Sequence, residues 1–422
     1  MEKLKFGMIG GAAGSFIGDV HLKAALFDGL GDLAAGCFSR DHEKSLAFGQ
    51  EHGIDVDRVY RSFGEMAEKE AAREDPVDFV IVAAPNDVHY DCCKAFLERG
   101  INVVCDKPLT HTSAQAEELK RIAEAKDLLL AVTYTYSAMP AAAFMRELIA
   151  SGGLGKLLLI KGEYLSDNLL VPNEQLDSGM LWRIDPAKAG PSTCCADIGV
   201  HCQHLISFVT GLAIEELSAD MNVIGEDRVL DTNFTATVRY QDGVKGHLWC
   251  SNVAAGSYNG LSISVYGTKG SVHWSLEEPD IVTFGGGTPG QTIQYRMGKT
   301  GGCDMEVPAG GCDAGLSTGG SGTASSTGGC DPDPSSGGMP ETGIFKVRRA
   351  CAPALRLPAG QGEGYYLAFA KIYRAFMTAL MKKRMGQPFA VEFPTASDGI
   401  ESLRFVEACL ESSGAGGKWV KL

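Results

Sequence analysis

Leu4-Lys5-Phe6-Gly7-Met8-Ile9-Gly10-Gly11-Ala12-Ala13-Gly14 is an apolar run that ends in a cluster of glycines. The run suits a buried strand, and the glycines suit the tight turn after it, because glycine reaches positive φ without a steric penalty. A helix-like stretch follows to about residue 30. Strand, glycine turn and helix N-terminus together make an anion site, since free backbone N–H groups point at the ligand. The usual dinucleotide spacing is G-x-G-x-x-G, and Ala12 stands where its second glycine would be. Gly10, Gly11, Ala12, Gly14, Ser15 and Phe16 are candidate dinucleotide contacts, with a plain strand-to-helix turn as the competing reading.

Outward from this stretch the pattern repeats. Residues 33–38, 78–83, 102–105 and 128–132 are short apolar runs, and residues 41–52, 88–99 and 113–125 carry helical periodicity. Alternating strand and helix means parallel βαβ units, so residues 1–135 read as an α/β domain with a doubly wound parallel sheet. The pattern then changes. Residues 139–150 and 197–209 read as helices, and 157–164, 217–223, 234–240, 245–251, 261–266 and 271–274 as closely spaced strands. Helices at 364–382 and 396–412 close the chain. Residues 136–422 thus read as a second, α+β domain with an open, mainly antiparallel sheet, whose apolar face would stay exposed unless paired in a homo-oligomer.

One segment is foreign to this pattern. Gly301-Gly302-Cys303-Asp304, Gly310-Gly311-Cys312-Asp313 and Gly328-Gly329-Cys330-Asp331 belong to a nine-residue period inside an insertion at about 285–350. Its few apolar side chains predict a flexible surface loop that leaves core and active site intact. Metal binding by its three cysteines is the rival, and no metal is expected.

The bulk numbers bound the class. A chain of 422 residues is too long for one ordinary core. Its net charge of −14 argues against nucleic acid or an anionic membrane as partner. No apolar run reaches membrane-spanning length and no signal peptide fits, so a cytoplasmic location is expected. The 13 cysteines, among them Cys92-Cys93, Cys105 and Cys194-Cys195, read as reduced core thiols.

The chemistry lies in two segments. Cys105-Asp106-Lys107-Pro108 puts a lysine just past a strand, and Asp197-Ile198-Gly199-Val200-His201, if helical, puts a carboxylate and an imidazole on one face. Lysine, aspartate and histidine can bind a secondary hydroxyl, take its proton and hold the alkoxide beside a nicotinamide. After the second strand, Phe38-Ser39-Arg40-Asp41 lacks the usual acidic residue for the ribose of NAD. Ser39 and Arg40 suit a 2′-phosphate, which leans slightly to NADP; Asp41 reads equally as an N-cap. Pro85, Asn86 and His89 follow the strand at 78–83, where ligands of open α/β sheets bind. Tyr134, Tyr136, Trp182, Arg183, Asp185 and His204 are candidate pocket residues, any of which can equally be structural.

The glycine loop, Ala84-Pro85-Asn86-x-x-His89, Asp106-Lys107-Pro108, Trp182-Arg183-x-Asp185-Pro186 and Asp197-x-x-x-His201 resemble the Gfo/Idh/MocA oxidoreductases, the glucose–fructose oxidoreductase and inositol dehydrogenase relatives. The resemblance covers nearly the whole chain outside about 285–350. It implies a Rossmann domain, an open-faced sheet domain, and NAD or NADP between them. Carried over, Lys107, Asp197 and His201 are the catalytic set, and Asp106 and Lys107 also meet the cofactor. Asp106 replaces the usual glutamate, His204 stands where inositol dehydrogenases tend to have aspartate, and Gln361-Gly362 stands where relatives often have His-Pro. The expected activity is hydride transfer between nicotinamide and a secondary hydroxyl or ketone of a sugar, sugar derivative or inositol, by a homo-oligomer, dimer or tetramer. An NAD-dependent glycosidase working through transient oxidation, and a non-catalytic sugar- or dinucleotide-binding regulator, are the alternatives.

Overall fold

The computed structural model describes residues 2–176, 178–286, 290–298, 304–308, 344–348 and 364–422. The first domain has β1 (Leu4–Gly10), α1 (Phe16–Leu26), β2 (Gly31–Cys37), α2 (His42–Glu51), α3 (Phe63–Ala71), β3 (Phe79–Ala83), α4 (His89–Leu97), β4 (Asn102–Cys105), α5 (Ser113–Ala125) and β5 (Leu130–Val132). Its parallel sheet runs β2-β1-β3-β4-β5. β3 and β4 are buried throughout, as strands covered on both faces must be. α3 is absent from the sequence reading; Met66, Ala67 and Glu70 are buried in an otherwise charged helix, so its apolar stripe is narrow.

The second domain adds α6 (Pro140–Ala150), β6 (Leu157–Leu165), α7 (Val200–Thr210), β7 (Ile214–Asn222), β8 (Asn233–Tyr240), β9 (Lys245–Ser251), β10 (Gly260–Gly267), β11 (Gly270–Ser275), β12 (Ile281–Gly286) and β13 (Thr292–Arg296). β14 (Asp304–Pro308) and β15 (Ile344–Arg348) pair antiparallel with each other. α8 (Tyr365–Arg384), α9 (Ala396–Gly414) and β16 (Val420–Lys421) end the chain. The large sheet runs β13-β12-β11-β10-β6-β9-β8-β7-β16, with β6–β9 as its parallel pair and the other ladders antiparallel.

Two expectations are corrected. The insertion read from about 285 begins too early, because β12 and β13 extend the sheet to Arg296. Val282 and Phe284 bury one face of β12, whereas β13 is mostly exposed and carries no apolar alternation. α8, read as part of the second domain, covers a face of the first sheet: Phe369, Tyr373, Phe376, Met377 and Leu380 share a core with Leu4, Phe6, Met8, Phe79 and Ile81. Their three- and four-residue spacing makes the buried stripe, worth about 1.5–3 kcal/mol for each large apolar side chain. The flexible repeat expected at 301–343 and the departures at 356–362 lie outside the described residues, apart from the backbones of β14 and β15. Among the described residues, no helix is long and apolar enough to cross a membrane, and no cluster of three His, Cys, Asp or Glu could hold a metal. The described cysteines are all free.

Candidate active site

The glycine loop is shaped by close approach. Gly10 and Gly11 have φ of +80° and +86°. A Cβ on Gly10 would lie 2.3 Å from the Ala83 carbonyl oxygen, and one on Gly18 would lie 2.2 Å from Gly11 Cα. Gly18 therefore lets α1 pack directly on the turn. Gly14 has φ of +90° and faces open space. Ser15 caps α1 by accepting the Gly18 N–H at 3.2 Å. Phe16, at the first turn, is 68% exposed and stacks on Tyr365 at 6.3 Å. This open cradle at a helix N-terminus fits a pyrophosphate.

At the end of β2 the Asp41 side chain caps α2 by accepting the Glu43 N–H at 3.1 Å. Its N-cap reading holds. Ser39 Oγ accepts the Asp41 N–H, and Arg40 is exposed. Asn86 is buried and donates to the Ala189 carbonyl at 3.4 Å, which ties the first domain to the second. His89 is fully buried, with its ring nitrogens 2.8 Å from the carbonyl oxygens of Pro108 and Ala84. It braces the ends of β3 and β4, so its predicted cofactor contact becomes a supporting one.

Lys107 and Asp197 meet although they lie 90 residues apart. Lys107 Nζ donates to the Asp197 carbonyl oxygen at 2.8 Å and forms an ion pair with its carboxylate. Arg183 Nε donates to the other carboxylate oxygen at 3.2 Å. Burial opposes the charge on Asp197, but Lys107 and Arg183 outweigh it and hold the carboxyl well below the usual range. His201 packs edge-on against Tyr136 at 4.8 Å. Burial, reinforced by the Lys107 cation, pushes its imidazole well below 6.5.

The helical expectation for Asp197 needs correction. Cys195–Gly199 is a π-helical turn, which passes into α7 at Val200. Such wide turns cost stability and recur at functional sites. Other predicted residues separate. Tyr134 is fully buried and stacks on His204 at 4.2 Å. His204 is itself buried and lies 3.4 Å from Asp398, so both form a layer behind His201. Asp185 caps the short helix Pro186–Ala189 and pairs with Lys188. Trp182 carries the Arg183 guanidinium over its ring at 4.6 Å. Tyr136 stays near the site and shares a 2.8 Å hydrogen bond with the Tyr164 hydroxyl.

Asp106 faces inward. Thr133 Oγ1 donates to it at 2.8 Å and His21 Nε2 lies 3.5 Å away. His21, missed from sequence, is fully buried and pairs through Nδ1 with the Tyr373 hydroxyl at 2.6 Å. Burial raises the Asp106 pKa, but His21, Lys107 and Thr133 together hold it well below the usual range. A lone histidine in an apolar helix gave no signal of this partnership. Tyr365 was also missed; it stacks on Phe16 and meets Tyr136 at a tilt, both at 6.3 Å.

Known proteins resemble this chain domain by domain and over its whole length. Residues 4–134 match the family described as oxidoreductase, NAD-binding Rossmann fold, and residues 143–273 match the GFO/IDH/MocA C-terminal domain. An uncharacterized oxidoreductase, YfiI, of Bacillus subtilis (strain 168) is 30% identical over 428 residues, covering 100% of this chain and 97% of its own. An inositol dehydrogenase homologue from Azotobacter vinelandii complexed with NAD+ superposes with TM-score 0.85 at 28% identity, over 100% of this chain and 98% of that one. Its complex with NADH and myo-inositol gives 0.82 at 27%, with the same coverages. With this fold, this glycine cradle and full-length similarity, the chain belongs to the Gfo/Idh/MocA family of NAD-binding oxidoreductases.

Proposed function

We propose that this dehydrogenase oxidises a secondary hydroxyl of a cyclic polyol, an inositol or a sugar derivative, or reduces the matching ketone. The observation that carries the reading is the Lys107–Asp197 contact beside His201, at the carboxyl end of the parallel sheet. The Azotobacter homologue's complex with myo-inositol supports the substrate class.

When bound, the nicotinamide supplies the hydride acceptor or donor. The chain's own residues handle the oxygen and its proton. Lys107 Nζ donates to the reacting oxygen and stabilises it as charge develops. His201, kept neutral by burial and the nearby cation, takes the hydroxyl proton. Asp197 stays ionised between Lys107 and Arg183, so it orients and does not act as the base. Tyr136 and Tyr164 close the apolar side of the pocket, where burial pushes the Tyr136 hydroxyl up to about 12.

For the cofactor, Gly10, Gly11, Ala12, Gly14 and Ser15 hold the pyrophosphate. Asp41 is engaged in capping α2, while Ser39 and the exposed Arg40 suit a 2′-phosphate, so the reading extends to NADP. On the large sheet, Leu159, Trp249 and Tyr266 share an exposed face, and a second copy of the chain covers it.

The test is a panel of inositols, sugars and polyols with NAD and NADP, followed at the nicotinamide absorbance. Turnover of cyclic polyols is expected. Release of an aglycone with no net change in cofactor would replace this reading with the glycosidase.

A further inference from the structure

The helix that carries Asp197 and His201 is started by a residue from elsewhere in the chain. Asp231 lies just before β8, 38 residues beyond Thr193. Its Oδ1 accepts the Thr193 N–H at 2.8 Å, and its Oδ2 accepts the Cys195 N–H at 2.8 Å. Its main-chain oxygen accepts the Cys194 N–H at 3.0 Å. Ser192 Oγ takes the Ala196 N–H at 3.1 Å, and the Asp197 N–H returns to the Thr193 carbonyl at 2.9 Å. Every amide from 193 to 197 is thus engaged, from the approach to the π turn into its first three residues.

The same clamp reaches the other partner of Asp197. Thr193 Oγ1 donates to the Arg183 carbonyl at 2.6 Å. Through Thr193, Asp231 therefore fixes both the helix bearing Asp197 and the backbone of the arginine that pairs with it. Asp231 is itself well anchored. Thr232 closes its loop by bonding the Ile224 N–H and carbonyl, each at 2.9 Å. In that loop the buried Arg228 holds the Leu169 and Val171 carbonyls at 3.2 and 2.7 Å. An ordinary helix start needs only a local serine or threonine. Here the local Ser192 is present, and a distant carboxylate, 6% exposed, is added to it at a cost in burial that the serine alone would avoid.

We propose that Asp231 is a positioning residue: by clamping the amides of residues 193–195 it sets the wide turn at Cys195–Gly199 and so places the Asp197 carboxylate between Lys107 and Arg183. The inference rests on the catalytic reading of Asp197 above. Asp231→Asn keeps the shape and one acceptor oxygen but turns an N–H donor against an amide. In the full-length protein, with the best polyol of the panel, its kcat should fall about tenfold or more. KM and the NADH dissociation constant, read by nicotinamide fluorescence, should stay within about threefold. Wild-type kcat with only a lowered melting temperature would reduce Asp231 to a structural cap and overturn the proposal.

Should that variant fail to fold, Thr193→Val keeps the clamped amide but cuts the tether to Arg183. A several-fold loss of kcat is then expected, and wild-type kcat overturns the proposal. If the parent protein turns over no member of the panel, the catalytic reading fails, and hydrogen exchange judges the clamp alone. Amides 196–201 should exchange about tenfold faster in Asp231→Asn, or in Thr193→Val if the former does not fold, with β1 and β4 unchanged. Unchanged exchange at 196–201 overturns the clamp.

Discussion

Lys107 holds Asp197 at two points, donating to its main-chain carbonyl at 2.8 Å and pairing with its carboxylate. One residue lies two positions past the end of β4, and the other sits in the π turn of the second domain. The contact therefore ties the end of the first sheet to the second domain at the proposed meeting place of cofactor and substrate. Two grips on one residue fix both position and orientation, which a single surface ion pair does not.

The reactive pair can be tested by truncation. Lys107→Ala and His201→Ala should each lower kcat by roughly 10²–10⁴, with the fold intact by circular dichroism. Near-wild-type turnover in either variant removes the assigned roles.

The pH behaviour follows from the causes acting on His201. Burial comes first and the Lys107 cation second, and both favour the neutral ring. The acid limb of kcat/KM should lie below pH 6.5. In the unfolded chain the ring binds a proton near 6.5, so the native state loses stability as pH falls through that value toward the depressed native pKa. Lys107→Met removes the cation and should move the titration upward. Histidine Cε1–H shifts read by NMR decide this; a downward move, or a wild-type titration above 6.5, contradicts it.

Arg40 is exposed at the end of β2. If it meets a 2′-phosphate, Arg40→Ala should weaken NADP several-fold or more and leave NAD nearly unchanged. Calorimetry with both dinucleotides measures the difference. Tight NAD binding with no detectable NADP binding to the parent protein makes Arg40 a solvated surface residue.

Gly18→Ala tests the cradle. Its Cβ would meet Gly11 Cα at 2.2 Å, a backbone atom that cannot swing aside. α1 must shift off the turn, so dinucleotide affinity should fall, by about tenfold if the displacement approaches that produced by other misplaced binding groups. Unchanged affinity by NADH fluorescence would show that the turn is not the pyrophosphate site.

A fifth test concerns stability away from the site. Arg58 Nε donates to Glu70 Oε1 at 3.0 Å, and the Tyr60 hydroxyl and Val77 N–H also bond this carboxylate. Glu70 is fully buried and Arg58 is 5% exposed. Glu70→Ala leaves Arg58 only the half-exposed Asp75 carboxylate at 3.2 Å and strips the Tyr60 hydroxyl and Val77 N–H of their acceptor, so it should cost about 3 kcal/mol in urea unfolding. Replacing both partners at once, Arg58→Met together with Glu70→Leu, should recover most of that loss.

Much of the fold was legible because its signals are local. The buried strands 79–83 and 102–105 are continuous apolar runs, and the glycines of the loop mark positive φ. α3 and β13 were not legible, because neither carries a clear apolar period. Within the site, Lys107 stood out as a charge at a strand end, and Asp197 and His201 by their spacing. His21, Tyr365 and Asp231 were silent. Each owes its place to a partner 36 or more residues away: Asp231 to Cys195, and His21 to Tyr373 at 352.

The sequence by itself determined the alternation of strand and helix, the glycine turn, and the residue types needed to move a hydroxyl proton, since these follow from local sterics, periodicity and side-chain chemistry. Tertiary structure decided which of those residues meet. It turned His89, Tyr134 and His204 into supports, placed Asp197 in a π turn between two cations, and folded α8 back over the first sheet. The physical reason is range. Propensity and periodicity act over a few residues, whereas an ion pair such as Lys107–Asp197 exists only after packing has brought distant segments within hydrogen-bonding reach and excluded water from around them.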